Sequence, residues 1–158
     1  MTEIVLLALV FTSGLLAGFF FAYWCSVMLG LKNVGDEVFV ETMQQINAVL
    51  PNGRFIIPFF APVFLSAIAT WLTFADDANT AGWWSVAATV LAVITLGITV
   101  VRNVPMNNAL AEAGTPVDAS DALRVREEYE SPWTAWNDVR TYTSALTFVA
   151  AIGALATL

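Results

Sequence analysis

Four long apolar runs dominate this chain, and they constrain its fold more than any other feature. They cover about residues 4–31, 55–75, 82–102 and 135–158. A helix needs roughly 20 apolar residues to cross about 30 Å of hydrocarbon, and each run is long enough. Charged residues make up only 12% of the chain, about half the share found in soluble domains. The sequence therefore predicts one all-α domain over residues 1–158, a membrane four-helix bundle.

Small residues recur every four positions along the first run, at Gly14, Gly18, Ala22 and Ser26. This spacing lets helix backbones approach each other closely in a membrane. It predicts a packing face, used either within the bundle or between two copies in a homo-oligomer. The run is also far longer than the apolar part of a signal peptide, so we expect it to be kept as a membrane span.

An amphipathic segment follows the first run, from Asp36 to Leu50. Its apolar residues Phe39, Met43 and Ile46 lie three or four positions apart, as expected for one face of a helix. The pattern predicts an additional helix between spans one and two, either interfacial or re-entrant. Its polar side includes the amides Gln44 and Asn47, for which a plain interfacial role is the alternative to ligand binding.

The basic residues predict an orientation in the membrane. All six belong to or flank the two long loops, at about residues 32–54 and 103–134: Lys32, Arg54, Arg102, Arg124, Arg126 and Arg140. Cytoplasmic loops carry an excess of lysine and arginine, whereas acidic residues have little influence on orientation. We therefore expect a multi-pass protein of the cell (inner) membrane, with both loops cytoplasmic and both termini outside.

Composition argues against several classes of function. The chain has no histidine and a single cysteine, Cys25, which lies inside the first run. We therefore expect no metal site, and no glycine-rich nucleotide loop points to a bound cofactor. The net charge of −7 and the lack of a basic run argue against nucleic-acid binding. The lipid bilayer is the expected partner, with a larger membrane complex as a further option.

The fourth run carries a polar face that is unusual for a membrane helix. At about 100° per residue, Trp136, Asn137 and Arg140 all lie within about 60° of Trp133 around the helix, whereas Asp138 points the other way. Polar groups in a membrane helix are costly and therefore often functional. Two interpretations are open for Arg140: a side chain that reaches to the interface, or a group that faces a ligand.

The third run ends in a second polar stripe, formed by Thr95, Thr99 and Asn103. Pro105 removes a backbone donor, so we expect the chain to bend there. The bend would bring Asn107 and Asn108 into a turn-and-cap role. The stripe predicts either hydrogen bonds between helices or part of a ligand pocket.

Three segments resemble the signature regions of a known family: Met-Gln-Gln-Ile-Asn at 43–47, Asn-Val-Pro-Met-Asn-Asn-Ala-Leu at 103–110, and Trp-Thr-Ala-Trp-Asn-Asp-Val-Arg-Thr at 133–141. They are similar to the DUF1772 family, the anthrone-oxygenase-like group of four-helix membrane proteins. The resemblance covers essentially the whole chain. It implies a cofactor-independent oxygenase that acts with O₂ on a lipophilic aromatic, polyketide-like substrate.

The resemblance also implies roles for the polar residues. Three are expected to be catalytic, namely Arg140, Asn137 and Asn103, and five to bind substrate, namely Trp133, Trp136, Gln44, Asn47 and Asn107. Family members often carry histidine directly after the Trp-Asn pair, and here that position is Asp138, so no general base is assigned. The alternative is a non-catalytic membrane module, either a binder of lipophilic ligands or an accessory subunit.

Overall fold

The chain folds entirely into helices joined by short turns. The computed structural model describes residues 1–158 and contains no strand. The helices are α1 (Thr2–Leu31), α2 (Asp36–Val49), α3 (Gly53–Ala75), α4 (Asn79–Glu112) and α5 (Ala119–Ala156). All except α2 are long and apolar enough to cross a membrane. The predicted all-α fold with four membrane-type helices is confirmed at this level.

The four long helices form a ring. α1 packs against α3 and α5, and α4 also packs against α3 and α5. At one end of the ring, the Thr2 hydroxyl donates to an Asp76 carboxylate oxygen at 2.7 Å, which ties the start of α1 to the turn between α3 and α4. At the other end, α2 packs against α5 and against the last part of α4.

Two of the long helices contain a π-helical turn. The turn in α1 covers Tyr23–Val27, and the turn in α4 covers Thr99–Asn103. A π turn inserts an extra residue into the α-helical ladder, so it rotates the side chains that follow it relative to a regular helix. Both turns lie towards the same end of the ring as α2.

The prediction that the chain bends into a turn at Pro105 is wrong. The helix continues from Val104 to Glu112, so Asn107 and Asn108 are helical residues rather than turn or cap residues. A proline ring in a regular helix clashes with the carbonyl group four residues earlier. Here that carbonyl belongs to Val101, inside the π turn, where the wider backbone spacing accommodates the ring.

α5 is one continuous helix of 38 residues. The charged segment from Asp121 and the apolar run from Ala135 therefore belong to a single rod, with Pro132 inside it. Its start is capped by the Asp118 carboxylate, which accepts hydrogen bonds from the Ser120 hydroxyl and the Asp121 backbone N–H. The hydrogen bond from the Ser120 hydroxyl, followed by the bond from the Asp121 N–H, holds the pKa of Asp118 below its usual range. The Asp118 carboxylate is therefore charged at neutral pH.

Of the four small residues predicted to form a packing face, only Gly14 brings helices close together within this chain. Gly14 of α1 lies close to the Phe148 ring, but Gly18 has no neighbour within 4 Å of an added Cβ, and Ala22 and Ser26 are exposed. Close packing occurs instead at Gly153 of α5, where a Cβ would lie 2.7 Å from the Trp84 ring. The α1 stripe is thus mostly not a packing face within this chain, and its use between copies stays a prediction.

A compact cap closes one end of the bundle. We use "cap" for α2 together with the last part of α4 (Val104–Glu112) and residues 119–133 of α5. Its core combines α1 residues with the three cap elements: Tyr23, Met28, Phe39, Val40, Met43, Leu110, Val125, Tyr129 and Trp133. This core holds α2 against the bundle.

Arg126 of α5 fastens the cap to the end of α1. Its guanidinium donates to the carbonyl oxygens of Val34 (2.9 Å) and Leu31 (3.2 Å), to the Asp36 carboxylate (2.9 Å), and to Glu130 (2.6 Å). One side chain therefore satisfies the last carbonyl groups of α1 and the first acidic residue of α2.

Replacing Arg126 with alanine should loosen α2. The Arg126 side chain is only 11% exposed, and charged hydrogen bonds of this kind contribute about 1.5–3 kcal/mol. We expect the free energy of unfolding in detergent to fall by about 2 kcal/mol and amide exchange in α2 to accelerate. Arg124→Ala is the matched control, because that side chain is 58% exposed and pairs only within α5; it should cost less than about 1 kcal/mol. Equal losses in both variants would contradict the assigned role.

Candidate functional site

One cavity of about 280 Å³ lies where the cap meets the four long helices. Its wall is mostly apolar and aromatic, with polar side chains towards the cap. The lining residues come from all five helices and the turn after α2: Phe19, Tyr23, Asn47, Leu50, Pro51, Phe55, Ile56, Phe59, Phe60, Thr99, Val100, Val104, Asn107, Asn108, Trp133 and Arg140. Ligand sites in proteins commonly have this combination of an apolar wall and a few polar groups.

Aromatic rings form the sides of the cavity. The Phe55 and Phe59 rings of α3 are stacked, with centroids 5.2 Å apart, and Phe19 of α1 lies 4.9 Å from Phe55. Phe19 also lies 5.1 Å from the Tyr23 ring, which in turn lies 5.6 Å from the Trp133 ring. Flat, polarisable walls of this kind favour stacking with an aromatic ligand.

Arg140 is the one charged residue in the cavity wall, and it has no ion-pair partner. The residue is 5% exposed. Its Nη2 donates to the Asn137 side-chain oxygen at 3.1 Å, while its buried Nε has no hydrogen-bond partner. The guanidinium carbon lies 4.6 Å from the Phe20 ring centroid and 5.2 Å from that of Trp133. The cation is therefore held by two rings and a neutral amide, and its charge is not neutralised.

A chain of hydrogen bonds forms the polar end of the cavity. The Trp133 Nε1–H donates to the Asn107 side-chain oxygen at 2.8 Å, and the Tyr129 hydroxyl donates to the same oxygen at 2.9 Å. The Asn47 amide in turn donates to the Tyr129 oxygen at 3.2 Å. Because an indole N–H can only donate, the Asn107 oxygen must face Trp133, which fixes the direction of the whole chain. The Asn107 amide nitrogen makes no bond of its own and is free to serve a ligand.

Both π turns contribute to the wall. Tyr23 begins the π turn of α1, and Thr99 and Val100 begin the π turn of α4. π turns occur frequently at functional sites, because the inserted residue changes which side chains face inward. Two such turns around one cavity make it the candidate functional site.

Four of the predicted site residues line this cavity: Arg140, Trp133, Asn47 and Asn107. Asn137 lies directly behind it, fully buried, where its side-chain oxygen accepts from Arg140 and its amide donates to the Phe20 carbonyl oxygen at 3.5 Å. The polar face predicted on the fourth run thus converges with the amides of α2 and α4.

Two other predicted residues, Asn103 and Gln44, do not line the cavity. Asn103 is fully buried; its amide donates to the Trp133 carbonyl oxygen at 3.5 Å, and its own oxygen has no partner. Gln44 donates to the carbonyl oxygens of Leu110 and Gly114, both at 2.8 Å, and so clamps α2 to the end of α4.

Trp136 and Asp138 also lie outside the cavity. The guanidinium carbon of Arg102 lies over the Trp136 ring, 5.0 Å from the ring centroid. Asp138 lines a separate acidic groove, together with Lys32 and Glu130. Asp138 therefore lies on a different face of α5 from Arg140.

The aromatic part of the site was not predicted from the sequence. Phe19, Tyr23, Phe55 and Phe59 were hidden within apolar runs, where such residues are normally lipid-facing or part of the core. Tyr23 carried one weak signal, a phenol within a membrane span. Tyr129 lies in the charged start of α5, and only the folding of α2 onto that helix shows its place in the hydrogen-bond chain.

The model of the anthrone oxygenase family matches residues 49–150, which is more than half of the chain. The chain belongs to the anthrone oxygenase family. The matched stretch includes Arg140, Trp133, Asn107 and Phe59, whereas Tyr23 on α1 precedes it. Neither a curated protein nor a solved structure matches the chain. The cavity of this family member is thus built mainly, but not wholly, from the matched stretch.

Removing the Asn107 side chain should destabilise the cap. Asn107→Ala leaves the Trp133 N–H and the Tyr129 hydroxyl without their shared acceptor, and a buried unsatisfied donor costs about 1–3 kcal/mol. Thermal unfolding in detergent, followed by near-ultraviolet circular dichroism, measures the loss. Asn108→Ala is the adjacent control, since Asn108 makes no side-chain hydrogen bond and is exposed. Equal stability of the two variants would disprove the chain of bonds.

Proposed function

We propose that the chain binds a lipophilic aromatic compound in this cavity and oxidises it with O₂, as an oxygenase that needs no cofactor. The observation that carries the proposal is the unpaired guanidinium of Arg140, which faces a slot walled by aromatic rings. Family membership supports the same chemistry. The aromatic walls favour a flat, polyketide-like ring system as the ligand.

A negatively charged oxygen on the ligand would give the Arg140 guanidinium the ion-pair partner that the protein does not provide. A buried charge without a partner is costly, and a charge-assisted hydrogen bond to an incoming oxygen anion offsets that cost. A phenolate or enolate oxygen has the required charge and acceptor geometry. Arg140 is thus suited to bind the anionic form of a ring system more tightly than the neutral form.

The reaction we propose balances for an anthrone. The ring CH₂ loses a proton to give a delocalised anion, whose negative charge lies partly on the ring oxygen near Arg140. The anion gives one electron to O₂, and the resulting superoxide and ring radical join through a new C–O bond. The peroxide anion formed in this way takes up one proton, which replaces the proton lost at the start. The hydroperoxide then loses water to leave a second carbonyl group. One anthrone and one O₂ thus yield one anthraquinone and one water.

Arg140 would make the ring CH₂ group of the substrate more acidic. No carboxylate or imidazole lines the cavity, so no side chain in the wall is an evident base. Stabilising the anion by a positive group in a low-dielectric site lowers the barrier to losing the proton. We place the proton's exit at the amide-rich end of the cavity, beside Asn47 and Asn107, where water can accept it.

The remaining predicted residues would not contact the ligand but would hold the residues that do. Asn137 holds the Arg140 guanidinium through its side-chain oxygen. Asn103 supports the backbone of Trp133, whose ring forms one wall. Gln44 and Trp136 are further away: Gln44 fixes α2, and Trp136 packs against Arg102.

A non-catalytic binder of lipophilic ligands is the second candidate function. It is favoured by the absence of an acidic or imidazole side chain from the cavity wall. The two functions share the same cavity and the same dependence on Arg140. They differ in whether bound ligand consumes O₂.

We also propose that the protein lies in the cell membrane with its cap on the cytoplasmic side and both termini outside. The basic residues near the cap support this orientation, through the excess of positive charge in cytoplasmic loops. α2 would then lie at the membrane surface, with its apolar residues Phe39 and Met43 buried against the bundle.

Replacing Arg140 with methionine should abolish binding of an anionic ring system but leave the fold intact. Removing an unpaired buried charge in favour of an apolar side chain is often neutral or stabilising. We expect the affinity for 1,8-dihydroxyanthrone to fall at least about 100-fold, the loss of a charge-assisted bond of about 3 kcal/mol. Absorbance of the quinone product and an oxygen electrode measure turnover, and the melting temperature checks the fold.

Arg102→Met is the matched control for this experiment. Arg102 lies at the same end of the bundle and stacks on Trp136, outside the cavity, so its loss should leave binding and turnover unchanged. Equal activity of the Arg140 and Arg102 variants would refute the proposed site. Binding that depends on Arg140 without O₂ uptake by the unaltered protein would select the non-catalytic function.

Cysteine labelling tests the proposed orientation. The labelling is done in a Cys25→Ser background. In the Asn79→Cys variant, whose new cysteine lies at the first residue of α4, the thiol should react with a membrane-impermeant maleimide added outside intact cells. A cysteine at Thr115, in the loop before α5, should react only after the membrane is permeabilised. Both positions are exposed, so a difference reports sidedness rather than burial. The reverse pattern would invert the orientation.

A further inference from the structure

We infer that the ligand reaches the cavity sideways from the hydrocarbon of the bilayer, through a slit between α3 and α4. The inference rests on the proposed function, because it concerns the route to the same cavity. It assigns the rim of the slit to two rows of apolar residues, one on each helix.

The two rows both line the cavity and are exposed on the outer surface of the bundle. Ile56 and Phe60 of α3 lie four residues apart, and so do Val100 and Val104 of α4. A residue that contacts the cavity and the exterior at once lies on its rim. Because these four residues belong to helices of membrane-spanning length and composition, the exterior there is lipid.

The packing of α4 explains why the slit lies at this level. On the side of the slit away from the cap, α3 packs along residues 79–98 of α4, and the hydroxyls of Thr70 and Thr89 are joined by a hydrogen bond of 3.3 Å. From the π turn onwards, α4 packs instead against α5 and α2. The π turn therefore marks the point at which α4 leaves α3 and turns towards the cap.

The cap end of the cavity is closed by comparison. Arg126 fastens the start of α2 to α1, and Gln44 fastens its middle to α4. The chain of bonds from Asn47 to Trp133 then spans the end of the cavity between α2, α4 and α5. A ligand that came through the cap would have to break these bonds. The two rows that border the slit are apolar, and the amide of Asn108, which is also exposed, lies only at the cap end of the α4 row.

The apolar rim also selects the form of the ligand. An anion is far more costly in hydrocarbon than the neutral molecule, so only the neutral ring system crosses the slit. Ionisation then takes place inside, next to Arg140. The protein would thus extract membrane-dissolved, weakly acidic aromatics and hold them as anions.

The test is the rate at which a stable ligand binds to the full-length protein in liposomes. The probe is 1,8-dihydroxyanthraquinone, mixed with the proteoliposomes in a stopped-flow instrument and followed by its own absorbance. Val104→Trp and Ile56→Trp narrow the slit from opposite sides. We expect each to slow association and dissociation together by at least about tenfold, with the dissociation constant changing less than about threefold.

Val93→Trp is the matched control, because Val93 is exposed on α4 but does not line the cavity. It should leave the rates unchanged. The association rate should also follow the mole fraction of probe in the membrane when the amount of lipid is varied. Rates that follow the aqueous concentration, or that rise in the cap-loosened Arg126→Ala variant, would overturn the route in favour of the cap.

The outcomes separate the route from the function. Binding that depends on Arg140 but has the same rates in both slit variants would refute the slit alone. A probe that fails to bind the unaltered protein, or binds it equally well after Arg140→Met, would refute the proposed function and this inference with it.

Discussion

The guanidinium of Arg140 is the interaction on which the electrostatics of the cavity depend. A cation among membrane helices needs water, a counterion or a polar shell, and the protein provides only one amide oxygen and the faces of two rings. Asn137, Phe20 and Trp133 supply these contacts. The cap then holds Trp133 through Asn107 and Tyr129, so the positions of α2 and the end of α4 are linked to the same charge.

Such a site is unfavourable for the empty protein and favourable for the occupied one. An incoming oxygen anion would supply the negative charge that no side chain of the protein places next to Arg140. The aromatic walls would contribute dispersion and stacking. A carboxylate partner for Arg140 would stabilise the bundle but would also compete with the ligand. The nearby acidic residue of α5, Asp138, faces another groove and so leaves the cation available.

The sequence predicted the parts of the structure that follow from regular helical geometry. Runs of apolar residues predicted four long helices, and the helical period placed Trp133, Asn137 and Arg140 on one face, because α5 is an uninterrupted helix there. Along α4 the predicted stripe of Thr95, Thr99 and Asn103 is buried, and Thr95 and Asn103 bond to α5. The prediction failed only at Pro105, where the π turn lets the helix continue.

Contacts between distant segments were not predictable in this way. Gln44 bonds to the end of α4, and Arg126 bonds to the end of α1, more than 60 residues away in each case. No local pattern specifies such partners, since they depend on how α2 folds back onto the bundle. The amides were recognised as unusual in an apolar setting, but their separation into cavity and clamp residues required the tertiary structure.

The unbroken length of α5 has a consequence for how the protein responds to its surroundings. A helix of 38 residues is about 57 Å long, nearly twice the thickness of the hydrocarbon layer. In the proposed placement, one helix therefore carries both Arg140, within the bilayer, and part of the cap, beyond it. When acyl chains shorten or lengthen, long helices adjust by tilting. Tilting of this helix would move the cap relative to the other spans, and a change in membrane thickness would then change the shape of the cavity.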